Sequence, residues 1–288
     1  MKLLITGAGG QLGREWIHYL EKSPHNGMGF NSTALDITNK NMVKQKVEEM
    51  RPDVLINCAA YTAVDDAEDN HEKAFKINKT GVANLAGICK LAGVKLIHYS
   101  TDYVFEGSEK DRNELPGGYT EDHPPDPQNV YGASKLAGER EVEKVDGDWL
   151  IIRVSWLCGQ FGSNFVKTML RLANERKELR VVNDQIGSPT FCTDLVEKTI
   201  ALVEMDQKGY FHISSRGAIS WYELTHELLK RIGKTESVKL NPVSSAEFAA
   251  KAKRPAFSLL NCSKIESLGL ETTDWKDGLN VLLRQLKN

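Results

Sequence analysis

A tyrosine and a lysine four residues apart are the strongest candidates for chemistry in this sequence. They are Tyr131 and Lys135, the first and last residues of a Tyr-Gly-Ala-Ser-Lys stretch. On a helix this spacing places both side chains on one face, one turn apart. A phenol ordinarily titrates near pH ~10, and an adjacent ammonium group favours its ionised form. The pair suits acid–base catalysis near neutral pH, although an isolated pair at this spacing also arises by chance in ordinary helices.

A glycine-rich loop follows the first predicted strand. Residues 2–6 form a short apolar run typical of a buried parallel strand, and Gly7, Gly10 and Gly13 follow it at regular spacing. A helical pattern of apolar residues begins inside the loop. Small residues let the backbone approach a pyrophosphate, and a helix N-terminus offers free N–H groups. Strand, glycine loop and helix together predict a dinucleotide site.

The segment after the second predicted strand carries no acidic residue. That strand is expected near residues 28–30, and Asn31, Ser32 and Thr33 follow it. Many NAD-binding folds place an acid there to hold the ribose hydroxyls. Its absence leaves room for a 2′-phosphate, which Arg14 could help to neutralise. Asp36 comes slightly later, either as the N-cap of the next helix or as an adenine contact.

Strands and helices alternate through the first half of the chain. Further buried strands are predicted at 53–58, 95–101 and 149–154, with helices around 41–50 and 72–91 between them. Such alternation predicts an α/β fold with a parallel, doubly wound sheet. Thr101 ends one strand and Tyr131 begins the next long helix, so both should lie at the same sheet edge. The intervening loop, 106–129, is rich in glycine and proline and is predicted to lack regular structure.

The second half alternates less regularly. Helices are predicted at 164–176 and 194–203, strands at 179–182 and 209–214, and a capped helix opening at Ser220. We predict a main domain over 1–157, with returns to it near 181–215, and a smaller α/β unit over most of 158–288. Arg254 fits either a phosphate contact or a surface ion pair, because guanidinium binds phosphate in a bidentate manner.

Composition excludes several classes of protein. The 37 basic and 39 acidic residues give a net charge of −2 without a basic stripe, which argues against nucleic-acid binding. No apolar run approaches the ~20 residues that span a bilayer, and the apolar N-terminal run is too short for a signal peptide. The five cysteines form no CxxC pair, which indicates reduced thiols in a cytoplasmic protein rather than disulfides or a zinc site.

Taken together, these motifs resemble those of the extended short-chain dehydrogenases/reductases, and within them the dTDP-4-dehydrorhamnose reductase family. The resemblance spans nearly the whole chain. It is carried by the glycine loop and by the stretches at 35–38, 59–65, 99–105, 131–135, 153–156, 184–190 and 254–258. It implies a Rossmann-type sheet, a smaller C-terminal substrate domain, and reduction of the C4 keto group of a dTDP-sugar by NADPH, with NADH as the possible substitute.

The resemblance also implies roles for individual residues. Tyr131 would be the acid/base, Lys135 its partner and ribose anchor, and Thr101 a hydroxyl donor to the reacting oxygen. The implied cofactor-binding residues are Gly7, Gly10, Gln11, Leu12, Asp36, Ile37, Ala60, Tyr61, Thr62, Tyr99, Tyr131 and Lys135. The implied substrate-binding residues are Thr101, Asp102, Trp156 and Arg254.

Some members of the family dimerise through a metal held by acidic residues. Glu15 matches one of those positions, whereas the segment Phe191–Asp194 offers no clear match. We therefore expect no metal, and either a monomer or a homodimer.

Two other functions fit the same residues. A related epimerase would hold its cofactor tightly and release product without net redox change. A regulatory subunit with this fold would bind the cofactor without catalysis, although the intact Thr101, Tyr131 and Lys135 favour an enzyme. A dehydratase is disfavoured, because such enzymes carry a second acid directly after the aspartate, where this chain has Tyr103.

Overall fold

The computed structural model describes residues 1–248 and 250–287. Its strands, in chain order, are β1 Lys2–Thr6, β2 Asn26–Phe30, β3 Val54–Asn57, β4 Lys95–Thr101, β5 Trp149–Val154, β6 Leu157–Cys158, β7 Glu178–Val182, β8 Ile186–Gly187, β9 Thr190–Phe191, β10 Gly209–His212, β11 Ile219–Ser220 and β12 Lys239–Val243. Its α-helices are α1 Gln11–Leu20, α2 Lys40–Met50, α3 Val64–Ala67, α4 His71–Phe75, α5 Val82–Ala92, α6 Glu109–Glu114, α7 Val130–Glu143, α8 Phe165–Glu175, α9 Cys192–Glu204, α10 Trp221–Arg231, α11 Ser245–Phe248, α12 Ser263–Glu266 and α13 Trp275–Gln285.

A six-stranded parallel sheet forms the centre of the molecule. Its strand order is β2-β1-β3-β4-β5-β10, and every neighbouring pair is parallel. The chain order reverses between β1 and β3. In open α/β sheets the carboxyl ends of the strands at such a reversal form a ligand crevice. The glycine loop after β1 and the small-residue segment after β3 therefore meet at the expected place.

Helices cover both faces of this sheet. Leu3 and Ile5 of β1 belong to one core with α1 and α9, whereas Leu4 between them belongs to the opposite core with α2, α5 and α7. This division follows from the alternation of side chains along a strand. The predicted doubly wound architecture is confirmed.

A third apolar core lies in the C-terminal half. The parallel pair β7 and β12 packs with α8, α10 and α13 around buried residues such as Leu179, Leu228 and Leu279. The capping box predicted at Ser220 is present, because its hydroxyl accepts from the Glu223 amide at 3.1 Å and its own amide donates to the Glu223 carboxylate at 2.7 Å. These C-terminal elements therefore share a core of their own, while the domain boundary at residues 157–158 stays a prediction.

The segment 106–129 is not wholly irregular, so that prediction was wrong in part. It contains α6, which begins with a capping box between Ser108 and Asp111. The Tyr119 hydroxyl donates to the Asp111 carboxylate at 2.5 Å and fixes the helix to the following chain. The glycines and prolines gave no indication of this contact.

The long helix predicted at 72–91 is interrupted by a π-helical turn at Lys76–Gly81. Asn78 in this turn accepts from the Tyr61 amide at 2.8 Å and donates to the Ser134 hydroxyl at 2.9 Å. π-Helical turns are frequent at functional sites. Here the turn ties the segment after β3 to α7.

An ion pair fixes α7 against the sheet. Arg153 of β5 makes a bidentate contact to Glu139 of α7, at 3.0 and 2.7 Å, and both side chains are buried. Gly138 lets the helix approach closely, since a Cβ there would lie 2.1 Å from the Asn78 carbonyl oxygen. The position of the helix that carries Tyr131 is therefore set on two sides.

Within 1–248 and 250–287, no helix is long and apolar enough to cross a bilayer.

Candidate active site

A cavity of about 510 Å³ lies at the carboxyl edge of the sheet, where the segments after β1, β3 and β4 meet the start of α7. Most of the predicted site residues line it. They are Gly10, Gln11, Leu12, Ala60, Thr62, Tyr99, Thr101, Asp102, Tyr131, Lys135 and Trp156.

The glycines of the first loop make its close packing possible. Gly7 has a φ of +65°, and a Cβ there would lie 2.5 Å from the amide nitrogen of Ala59. A Cβ at Gly13 would lie 2.3 Å from the carbonyl oxygen of Gly7. Gly10 precedes α1 and supplies no side-chain cap, so the first N–H groups of the helix remain for a ligand. The loop is a backbone cradle suited to an anion.

Asn57 holds the facing segment in place. Its side-chain oxygen accepts from the Thr6 hydroxyl at 2.7 Å and from the Ala59 amide at 3.1 Å, and its amide nitrogen lies 3.0 Å from His98 Nδ1. The segment after β3 is thereby fixed to both neighbouring strands, β1 and β4.

Lys135 is a buried cation at the floor of the cavity. Its side chain is 3% exposed, and its ammonium donates to the backbone oxygen of Tyr99 at 2.6 Å. Burial lowers the pKa of Lys135 to about 8, with Glu139 and Cys58 acting in the opposite direction. An ammonium has three donors, so this contact leaves two for other partners.

Burial raises the pKa of Tyr131 above its ordinary value, and the Thr101 hydroxyl acts in the opposite direction. From the sequence, the neighbouring ammonium was expected to lower this pKa. In the structure burial outweighs any such effect, because a phenolate in a low-dielectric site is costly. Tyr131 is therefore protonated at neutral pH and placed to act as an acid.

The first turn of α7 packs directly on the 3₁₀ turn that follows β4. A Cβ at Gly132 would lie 2.1 Å from the carbonyl oxygen of Tyr103, and the Asn129 side chain caps the helix by accepting from the Gly132 amide at 2.8 Å. The rings of Tyr103 and Tyr131 meet edge to face with centroids 5.5 Å apart. This contact brings Tyr131 beside Thr101, as the sequence predicted.

Asp102 presents a buried carboxyl group to the cavity. Its Oδ1 accepts from the Thr101 hydroxyl at 2.9 Å, while its Oδ2 is buried without a hydrogen-bond partner among the described residues. Burial raises the pKa of Asp102 to about 7, with the hydroxyls of Thr101 and Ser258 acting in the opposite direction. The free oxygen is suited to a ligand hydroxyl.

Trp156 is held in an unusual backbone conformation. Its φ is +48°, which is strained for a residue with a bulky side chain, and such strain is concentrated at functional sites. The indole stacks on Trp221 with centroids 3.5 Å apart. Gly187 is required beneath it, since a Cβ there would lie 2.9 Å from the Trp156 ring.

A second cavity of about 630 Å³ adjoins the first, and Tyr103 lines both. Its wall is largely apolar and includes Phe165, Met169, Val181, Trp221 and Phe248. Arg254 lies at its edge, where its guanidinium donates to the Tyr103 hydroxyl at 3.1 Å and to the Asp65 carboxylate at 2.5 Å. The two cavities together suit an elongated ligand.

Besides Gly7 and Arg254, three predicted residues lie outside the lining of the first cavity. Asp36 is exposed and accepts from the amide and hydroxyl of Thr38, both at 2.9 Å; Asn39, not Asp36, caps α2. Ile37 is buried in the core beside the π-helical turn. Tyr61 donates its hydroxyl to Asp66 and packs behind Tyr131. The adenine contact for Asp36 stays a prediction.

Glu15, the residue matched to a metal position, is engaged within the chain. Its Oε1 accepts from the Thr193 hydroxyl at 2.8 Å and from the Gln160 amide at 3.3 Å. No group of three or more metal-ligating side chains occurs in the described part of the chain.

Sequence reasoning missed Tyr103 as a site residue and gave no role to Trp221. Tyr103 follows Thr101 and Asp102 directly, so its position after β4 was the available signal. Trp221 begins α10, far along the chain, and no local pattern places it against Trp156.

The family model described as the RmlD substrate binding domain matches residues 1–288. The chain belongs to this family. The Bacillus subtilis (strain 168) spore coat polysaccharide biosynthesis protein SpsK is 39% identical, covering 99% of this chain and 97% of that protein. The dTDP-4-dehydrorhamnose reductase of Escherichia coli (strain K12) is 37% identical, covering 99% and 98%.

Solved structures of the family superpose over the whole chain. The Bacillus anthracis str. Ames dTDP-4-dehydrorhamnose reductase, in complex with NADP, is 41% identical with a TM-score of 0.93 and covers 99% of each chain. The UDP-glucose 4-epimerase of Thermus thermophilus has a TM-score of 0.83 at 18% identity, covering 100% of this chain and 99% of that one. That second similarity concerns the fold alone.

Proposed function

We propose that this member of the RmlD family reduces the C4 keto group of dTDP-4-dehydro-L-rhamnose to dTDP-L-rhamnose, with NADPH as reductant. The product would serve rhamnose-containing cell-surface polysaccharide, and the reaction would take place in the cytoplasm. The observation that carries the proposal is the convergence of Thr101, Tyr131 and Lys135 on one cavity. Relatives that are 38% and 34% identical over nearly their full length are named dTDP-4-dehydrorhamnose reductases.

The first cavity fits a nicotinamide dinucleotide. Gly7 and Gly13 let the loop pack against the segment after β3 and against itself, where a Cβ would meet backbone atoms. Gly10 lines the cavity, and the start of α1 leaves N–H groups for a pyrophosphate. Gln11 and Leu12 would bind the pyrophosphate through their backbone. Lys135 retains donors for ribose hydroxyls. When bound, the reduced cofactor supplies a hydride, and the lining residues fix its orientation.

Tyr131 would act as the general acid. It is protonated at neutral pH, and it would donate its proton to the C4 oxygen as negative charge develops there. Thr101 has one O–H, which donates to Asp102 Oδ1 at 2.9 Å. On substrate binding this O–H would turn to the C4 oxygen and so stabilise that charge. Lys135 would stabilise the resulting phenolate by its positive charge. Thr101, Tyr131 and Lys135 all line the first cavity, so the fold holds these groups beside the space that the substrate would enter.

The substrate would extend from the first cavity into the second. The free Oδ2 of Asp102 and the indole of Trp156 would contact the sugar beside the nicotinamide. Arg254 lines the second cavity and contacts Tyr103, which lines both, so it would bind the diphosphate there. The apolar second cavity would take the thymidine.

Replacement of Thr101 by valine should lower kcat about 10-fold, because one hydrogen bond to the developing charge is lost while shape is kept. The loss should be smaller than that of a tyrosine variant, since Tyr131 still delivers the proton. Initial rates of NADPH oxidation at saturating substrate measure it. A T101S variant, which restores the hydroxyl, should recover most of the rate; a valine variant as fast as wild type would contradict the role of Thr101.

The direct test is loss of reduced-nicotinamide absorbance when purified protein meets NADPH, or separately NADH, and dTDP-4-dehydro-L-rhamnose. We expect stoichiometric oxidation with dTDP-L-rhamnose as product, and comparison of the two cofactors gives the preference. UDP-glucose serves as a control that an epimerase would convert. NADPH binding without oxidation of either cofactor would refute the reductase.

A further inference from the structure

We infer that Asp65 is a positioning residue for the nucleotide sugar: its carboxylate holds the Arg254 guanidinium at the junction of the two cavities, ready for a diphosphate. This inference rests on the proposed function, since it deepens the role given there to Arg254. Asp65 lies in α3, shortly after Thr62 of the first cavity, whereas Arg254 lines the second.

The two oxygens of Asp65 have different partners on one segment, residues 251–254. Oδ1 accepts from the backbone amide of Ala252 at 2.9 Å, and Oδ2 accepts from Nη2 of Arg254 at 2.5 Å. Ala252 and Arg254 both line the second cavity. A single carboxylate from the cofactor-binding side therefore fixes both the backbone and the cationic side chain of the nucleotide side.

Other contacts attach the same segment without touching Arg254. The Asn129 side chain donates to the backbone oxygen of Lys253 at 2.9 Å, and Lys251 forms an ion pair with Asp69. Because these contacts are independent of Asp65, removal of its carboxylate should free the guanidinium while the segment stays docked.

The guanidinium retains donors for a ligand. It has five N–H groups, and the contacts to Asp65 and to the Tyr103 hydroxyl each use one. The Tyr103 ring in turn packs edge to face against Tyr131. One tyrosine ring therefore separates Arg254 from the proposed proton donor. The diphosphate of a bound nucleotide sugar would meet its sugar near this point.

The ion pair between Asp65 and Arg254 is partly exposed, so its loss should affect ligand binding more than the stability of the fold. The Asp65 side chain is 48% exposed and that of Arg254 is 23% exposed, so water screens the pair and it adds little to folding. A long arginine side chain that is not held in place must lose its rotamer freedom when ligand binds. The expected consequence of losing Asp65 is therefore weaker nucleotide binding in a protein that remains folded.

The direction in which dTDP affinity changes when the Asp65 carboxylate is removed distinguishes positioning of Arg254 from competition with phosphate for Arg254. If Asp65 merely occupied Arg254 until phosphate displaced it, removal of the carboxylate would tighten nucleotide binding. Asp65 also holds the amide of Ala252 and engages only one N–H of the guanidinium, which favours positioning.

The test measures dTDP binding by calorimetry and the Michaelis constant for the dTDP-sugar in Asp65→Ala, Arg254→Ala and the double variant. We expect Asp65→Ala to raise the dissociation constant for dTDP and the Michaelis constant for the dTDP-sugar about 10-fold each. NADPH affinity and kcat should stay within about twofold of wild type. The double variant should bind no more weakly than Arg254→Ala, because Asp65 acts through Arg254. Asp69→Asn, which affects the same segment but not the guanidinium, is the matched control and should bind normally.

Tighter or unchanged dTDP binding in Asp65→Ala would overturn the inference, as would additive losses in the double variant or an equal loss in Asp69→Asn. Circular dichroism melting of each variant verifies folding, and Asp65→Asn, which can still accept from Ala252, is the second variant if alanine unfolds. A wild-type protein that binds dTDP without oxidising NADPH would refute the reductase while the binding comparison still tests Asp65. A wild-type protein that does not bind dTDP would overturn both.

Discussion

Replacement of Tyr131 by phenylalanine is expected to lower kcat by about 10³-fold, because a general acid in the transition state contributes roughly 10²–10⁴-fold. The substitution removes only the phenolic hydroxyl group. The ring still packs edge to face on Tyr103 at 5.5 Å, so the start of α7 should keep its position. Affinity for NADPH should change less than about threefold, since Lys135 and the glycine loop are intact. Rates of NADPH oxidation and calorimetric titration with NADPH measure the two quantities.

Tyr222→Phe is the control for this variant, because Tyr222 lies in α10 and lines neither cavity. It removes one phenolic hydroxyl and should leave both constants unchanged. A Tyr131→Phe protein that retains a tenth or more of the wild-type kcat would show that another group delivers the proton.

Replacement of Lys135 by methionine is expected to lower kcat by about 10²-fold and to weaken NADPH binding as well, because one cation serves two roles. Methionine keeps an unbranched side chain in the buried site but loses the donor to the Tyr99 backbone oxygen and the donors left for the ribose. Charge on the Tyr131 phenolate would then lack its counterion. Combined loss in kcat and in cofactor affinity separates this variant from Tyr131→Phe, which should lose kcat alone.

The pH dependence of kcat/KM gives an independent test of the role of Lys135. The pKa of Lys135 is lowered to about 8 by burial, so the ammonium is present below that pH and is lost as pH rises through it. Wild-type kcat/KM should therefore fall above about pH 8, and Lys135→Met should lack that fall. Asp102, with a pKa raised to about 7, also ionises nearby, so the two profiles are best compared in an Asp102→Asn background. A fall above about pH 8 that persists in Lys135→Met would assign it to another group.

The local sequence determined the parts of this protein that depend on short-range pattern. Side-chain periodicity and backbone sterics over a few residues predict three features. These are the strand, glycine loop and helix at the N-terminus, the alternating buried strands, and the placement of Tyr131 and Lys135 on one helix face. The parallel, doubly wound sheet follows from the same alternation. The carboxyl-edge rule then placed Thr101 near Tyr131 from the sequence alone.

Tertiary structure decided the features that depend on burial and on contacts between distant residues. The sign of the Tyr131 pKa shift was wrong from sequence, because a four-residue spacing does not show that burial of the phenol raises its pKa. The stacking of Trp156 on Trp221, the contact of Asp65 with Arg254 and the helix α6 in a glycine- and proline-rich loop were likewise absent from local pattern. Each depends on which surfaces the folded chain brings together and closes to water, and a linear sequence does not state those distances.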